Sequence, residues 1–173
     1  MREKKIFVLG GAASGKSVYA ESLVIKADAR PVYIATARAF DTEMEAKIAR
    51  HRARRGPEWR DLPAPDDLPR ALATLVEGEI ALLDCATMWL TNAMLAERDL
   101  EAETDALIEA LSACAAPVVI VSNEVGQGIV PDHPLGRRFR DAQGLLNQRL
   151  AAASDAAVLV VAGLPLALKG ALP

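Results

Sequence analysis

An α/β fold, with a mostly parallel central sheet covered by helices on both faces, is what three features of the sequence predict. Short β-branched or leucine-rich runs alternate with longer helical patterns. Those runs are apolar nearly throughout, as strands covered on both faces must be. The composition, 51% hydrophobic and only 4% aromatic, suits helices packed on a sheet.

The elements follow in order. "KIFVLG" (5–10) is the first strand, and a helix is expected over 15–27, directly after a glycine-rich turn. "VYIA" (32–35) is the second strand. The helix expected over 42–55 carries a capping box, Thr42 with Glu45 three residues on, and its acidic first turn and basic last turn match the helix dipole. "DLPAPDDLP" (61–69) is a proline-rich loop leading into a helix over 67–77. "IALLD" (80–84), "VVIVS" (118–122) and "AVLVVAG" (157–163) are further buried strands, with helices expected over 86–97, 102–115 and 135–154. The final "LPLALKGALP" is either an edge strand or a tail.

At 173 residues the chain suits one domain over 1–173, burying roughly 70% of the surface its unfolded form would expose. No internal repeat or interdomain linker is found. A net charge of −3 argues against general nucleic-acid affinity. Cys85 and Cys114 lie in apolar runs without metal-ligand spacing, so neither a disulfide framework nor a zinc site is expected and a cytoplasmic setting fits. The four-residue apolar run in "MREKKIFVLGG" is too short for a signal peptide or a membrane span.

The strongest motif follows the first strand. "GGAASGKS" (10–17) fits G-x-x-x-x-G-K-[ST], with strand before and helix after, and makes the fold a P-loop NTPase-type three-layer one. Small residues at Gly10, Gly11, Ala12, Ala13 and Gly15, with Ser14 among them, let successive backbone N–H groups turn around phosphate oxygens. Lys16 then reaches the β and γ phosphates and Ser17 offers its hydroxyl to Mg²⁺. "IALLD" ends in Asp84, which either holds Mg²⁺ beside this loop or caps the helix that begins "CATMWL". Asn123 and Glu124, just past the 118–122 strand, either face the same crevice or form a simple turn.

"KIARHRARRG" (47–56) packs five cationic side chains and one of the two histidines into nine positions. Met44, Ile48 and His51 share one helix face, with Arg50, Arg52, Arg54 and Arg55 around the histidine. This is either a solvated basic helix end or a polyphosphate grip, in which a neutral imidazole attacks phosphorus while arginines neutralise developing charge.

Together, "GGAASGKS", "YIATA" (33–37), the D-x-E-M…I-x-x-H…W-R stretch (41–60), "LLDCATMWLTN" (82–92), "VSNEVGQGIVP" (121–131) and "RRFRDAQGLLNQRLAAASD" (137–155) resemble one family. It is that of the bifunctional adenosylcobinamide kinase/adenosylcobinamide-phosphate guanylyltransferases of cobalamin synthesis, and the resemblance spans residues 6 to 169. Its most specific parts are the His51 helix and "NEVGQGIVP". The resemblance implies phosphorylation of adenosylcobinamide with ATP or GTP, then GMP transfer from GTP through a guanylylated His51. It also implies nucleotide contacts from residues 10–17, from Thr36, Ala37 and Arg38, from Arg52, Ala53, Arg54 and Arg55, and from Asp84. A homo-oligomer, specifically a homotrimer with its active site near subunit contacts, is a further implication.

Three departures from the family pattern stand out. Ala13 replaces a common Arg, a phosphate contact for which Arg38 is the candidate substitute. Pro63 lies where relatives tend to carry a glutamate suited to guanine or ribose, and Asp84 replaces Glu in some relatives. Two alternatives compete with the family assignment. One is a plain P-loop kinase with a structural His51; the other is a nucleotide-gated, RNA-contacting protein, disfavoured by the acidic balance and the lack of stacking aromatics beside the arginines.

Overall fold

A computed structural model describes residues 4–38 and 55–173. Seven strands form one sheet: β1 (Lys5–Gly10), β2 (Arg30–Ala35), β3 (Arg60–Pro63), β4 (Glu79–Asp84), β5 (Val118–Asn123), β6 (Ala156–Val161) and β7 (Leu164–Lys169). Their order is β3-β2-β4-β5-β1-β6-β7. Every pairing is parallel except that of β6 with β7. The helices are α1 (Lys16–Ile25), α2 (Leu68–Ala73), α3 (Ala86–Leu95), α4 (Leu100–Ala113) and α5 (Pro134–Ala153).

Strand alternation divides the core between the two faces of the sheet. On one face Ile6, Val8, Tyr33, Ile80, Leu82, Val119, Val121 and Val158 meet Ala20, Leu23 and Val24 of α1. On the other, Phe7, Ile34, Leu83 and Ile120 meet Leu72 of α2, Trp89 of α3, Leu111 of α4 and Leu146 of α5. The three-layer prediction therefore holds, and the alternation fixes which residues at the strand ends look toward α1. Gly10, Asp84 and Asn123 continue the parity of Val8, Leu82 and Val121, so all three belong to the α1 face.

Two expectations change. The 61–69 stretch is not all loop, because Arg60–Pro63 pairs with β2 as the outermost strand. A solvent-facing edge strand needs no apolar run, and proline is tolerated where the edge asks nothing of its missing N–H. The helix expected over 67–77 shortens to Leu68–Ala73. Asp67 caps its start, accepting from the Arg70 N–H at 3.0 Å. The C-terminal residues take the edge-strand option, with β7 turning back on β6 through Gly163, whose φ of 79° suits glycine. The 42–55 helix lies outside the described residues except for Arg55.

Candidate active site

The loop between β1 and α1 is held by close approaches that exclude side chains. A Cβ on Gly10 would lie 2.4 Å from Ser14 Oγ and 2.7 Å from the Val160 carbonyl. Gly15 has φ 94°, and a Cβ there would come within 3.0 Å of Gly163 Cα. The Gly163 N–H donates to the Ser14 carbonyl at 2.8 Å, so the β6–β7 turn braces the loop from behind. Ala13 adopts φ 54°, a left-handed conformation costing a non-glycine residue roughly 1–2 kcal/mol. Lys16 Nζ donates to the Gly11 carbonyl at 3.0 Å, folding back over the loop it follows. Ser17 is the second residue of α1. The cradle thus offers backbone N–H groups, a helix N-terminus, an ammonium and a hydroxyl, which is an anion site.

Asp84 ends β4, with β5 between it and the β1 strand that leads into the loop. It does not cap α3: the N-cap is Cys85, without a side-chain cap bond. Instead its carboxylate accepts from the Tyr33 hydroxyl at 2.9 Å. Burial, and then the Asp84 charge, push Tyr33 far above the usual phenol range, so it stays a donor. Over the Tyr33 ring sits the Arg55 guanidinium, 3.4 Å from the centroid, and Trp59 meets the ring edge-on at 6.4 Å. Arg55 also donates to Asp61 at 3.2 Å, and its side chain is only 6% exposed. The first described residue after the His51 segment is therefore stacked on the tyrosine that holds Asp84.

Thr36 is fully buried and stands behind the site. Its hydroxyl accepts from the Cys85 N–H at 2.8 Å and donates to the Cys85 carbonyl at 2.7 Å, while its own carbonyl accepts from Asn92 at 2.9 Å. It braces the corner that follows Asp84. Ala37 is half-buried next to it. Arg38 is exposed and ion-paired with Asp66, on the side of the β3–α2 loop. In that position its guanidinium is a partner for Asp66. Pro63 closes β3 opposite Ala35. Burial, and then Asp84, raise the Cys85 thiol to about 11, so it stays protonated and is no nucleophile. His51, Arg52, Ala53 and Arg54 lie outside the described residues.

Tyr33 opens the "YIATA" stretch, but no motif assigns it a role at the site. Its signal was the alternation of β2, which puts it on the face of Asp84. Among the described residues no group of three or more His, Cys, Asp or Glu side chains is built to hold a metal, and no helix is long and apolar enough to cross a membrane. One carboxylate and one hydroxyl beside a phosphate cradle do fit Mg²⁺, which typically takes one or two protein oxygens and completes its shell with phosphate and water.

Comparison with known families is decisive. The model of a family described as cobinamide kinase / cobinamide phosphate guanyltransferase matches residues 6–168. The chain belongs to this family. It is 45% identical to the bifunctional adenosylcobalamin biosynthesis protein CobP of Pseudomonas aeruginosa, covering 94% of this chain and 96% of that one. It is 42% identical to CobU of Salmonella typhimurium, a protein of the same description, covering 95% and 99%. Among solved structures, a type III secretion ATPase of pathogenic bacteria has a TM-score of 0.59 at 12% identity, over 95% of this chain and 56% of that one. The RadB recombinase has 0.52 at 16%, over 90% and 73%. These likenesses show the P-loop fold.

Proposed function

We propose that the chain catalyses two successive transfers in cobalamin biosynthesis: phosphorylation of adenosylcobinamide with ATP or GTP, then GMP transfer from GTP to the new phosphate. The observation that carries this is family membership across residues 6–168, joined to a phosphate cradle whose Lys16, Ser17 and Asp84 gather at the C-terminal end of one sheet.

In the first transfer Lys16 bears on the β and γ phosphates and neutralises charge as the γ-phosphoryl leaves, while the loop N–H groups orient it. Ser17 and Asp84 would hold Mg²⁺, whose contribution is to neutralise the β and γ oxygens. In the second, neutral His51 attacks the α-phosphorus of GTP; a P–N bond forms and the P–O bond to pyrophosphate breaks. Arg52, Arg54 and Arg55 neutralise the departing polyphosphate, with Ala53 contributing backbone contact. An oxygen of adenosylcobinamide phosphate then attacks the same phosphorus, the P–N bond breaks, and the imidazole is restored. Arg55, stacked on Tyr33, links this machinery to Asp84.

The test is sequential. With Mg²⁺ and ATP, purified protein should convert adenosylcobinamide to a product heavier by one phosphoryl group, and added GTP should then give the GDP-linked corrinoid with release of pyrophosphate. A phosphorylated product that GTP never extends would leave a plain kinase.

A further inference from the structure

The "VSNEVGQGIVP" stretch carries no role in the two transfers above, yet the fold spends a buried polar network on its third residue. Ser122 is fully buried, and Gln143, Asn147 and Thr87 are buried around it. Ser122 Oγ donates to Asn147 Oδ1 at 2.7 Å, and Gln143 Nε2 donates to both Ser122 Oγ at 3.0 Å and Asn147 Oδ1 at 2.9 Å. Two bonds leave this cluster for one residue: Asn147 Nδ2 donates to the Asn123 carbonyl at 3.1 Å, and the Asn123 N–H donates to Thr87 Oγ1 at 2.8 Å. The next residue is tied to the phosphate loop, its N–H donating to the Gly10 carbonyl at 3.0 Å.

Both backbone groups of Asn123 are thus fixed by side chains from α3 and α5. The cluster holds Asn123 through these two bonds, with Gln143 Oε1 the one oxygen of its side chains left without a partner among the described residues. Its members sit on the face of the sheet opposite α1, while alternation sends the half-buried Asn123 side chain to the α1 face. Asn123 pairs in register with Gly10, the first residue of the loop, and its strand lies between β1 and the Asp84 strand. A carboxamide held there stands between the phosphate cradle and the acid.

We propose that Asn123 is a catalytic residue of phosphoryl transfer, its side-chain Nδ2–H donating to an oxygen of the γ-phosphoryl group in flight. This rests on the kinase activity proposed above. In the step the bond from the γ-phosphorus to the β–γ bridging oxygen breaks and its electron pair leaves with ADP. A bond to the corrinoid hydroxyl oxygen forms and the hydroxyl proton passes to water. Asn123 exchanges no proton, and a neutral amide donates there without the repulsion a carboxylate would bring to a phosphate.

The test measures phosphorylation of adenosylcobinamide by wild type, Asn123→Ala, Asn123→Asp and Lys16→Ala, with melting temperatures recorded. For Asn123→Ala, kcat should fall on the order of a hundredfold while KM for ATP stays within about twofold, because the bond is made in the transition state. Asn123→Asp keeps the shape and both backbone bonds but loses the donor. It should fall at least as far with melting unchanged, and it covers the case in which the alanine variant does not fold. Asn123→Asp or Asn123→Ala turning over at the wild-type rate, with Lys16→Ala dead in the same assay, overturns this proposal and leaves the kinase standing. A wild type that never phosphorylates adenosylcobinamide overturns both.

Discussion

In the proposed function, Lys16 and Asp84 are the residues on which the phosphoryl-transfer half turns. Removing the Lys16 ammonium leaves the loop's N–H groups in place but takes away the cation aimed at the transferring phosphate. Lys16→Ala should lower kcat for adenosylcobinamide phosphorylation roughly 100- to 1,000-fold and weaken nucleotide binding, with the fold retained by circular dichroism. For Asp84 the isostere separates charge from structure. Asp84→Asn keeps an oxygen to accept from the Tyr33 hydroxyl, and no helix cap is lost because Cys85 holds that position. The Mg²⁺ concentration for half-maximal rate should therefore rise severalfold or more while the melting temperature moves little. A large drop in melting temperature with unchanged Mg²⁺ dependence would make Asp84 a structural residue. Lys16 and Asp84 were both legible in the sequence because their signals are local, a motif and a strand end. Tyr33 was not: its bond to Asp84 joins residues 51 apart, and a tyrosine in an apolar run reads as core until the neighbouring strand is known.

At the scale of the elements, the outer edge of the sheet depends on Glu79. This buried side chain at the start of β4 accepts two bonds from the Arg60 guanidinium at the start of β3, at 2.9 and 3.0 Å, and one from the Val76 N–H at 3.0 Å. Burial alone would raise its carboxyl, but the Val76 N–H and the Arg60 guanidinium outweigh burial and hold it below the usual range. Since the folded value is depressed, its contribution is complete above about pH 4.3, the ordinary glutamate value, and fades as pH falls through the folded value. Glu79→Gln should lower stability by about 1–3 kcal/mol in urea titrations at neutral pH, and the gap to wild type should narrow in acid. An undiminished gap at pH 3 would mean the charge is not what binds the edge. β3 itself escaped the sequence because its exposed residues, Arg60, Asp61 and Pro63, carry no apolar alternation. The buried strands and the long helices were legible because burial on both faces, or on one helical stripe, imposes a pattern. α5 carried a subtler sign: Gln143 and Asn147, four residues apart, share the buried side with Leu146 and Leu150.

Across the whole molecule, the phosphate loop, Asp84, Asn123 and the Tyr33–Arg55 stack gather toward the C-terminal end of the parallel strands of one sheet, where α/β folds bind ligands. Position in the topology, more than any single motif, brings them together. We include a homo-oligomer, specifically a homotrimer, in the proposal; Leu164, Leu166 and Leu168 of the β7 edge are exposed and form one surface an assembly would cover, which sedimentation checks. In the proposed function this framework serves two chemistries, the second through a histidine. A P–N bond to histidine is labile in acid and comparatively stable in alkali, so the attachment identifies itself. Incubated with Mg²⁺ and α-labelled GTP, the wild-type chain should acquire label that survives denaturing electrophoresis, vanishes in mild acid, and leaves as the GDP-linked corrinoid when adenosylcobinamide phosphate is added. His51→Ala should take no label yet still phosphorylate adenosylcobinamide. His133, which caps α5 by accepting from the Leu135 N–H at 3.2 Å, should be replaceable without loss of labelling. Label that persists in His51→Ala, or that never appears in wild type with α-labelled ATP as the control, would contradict the two-transfer account.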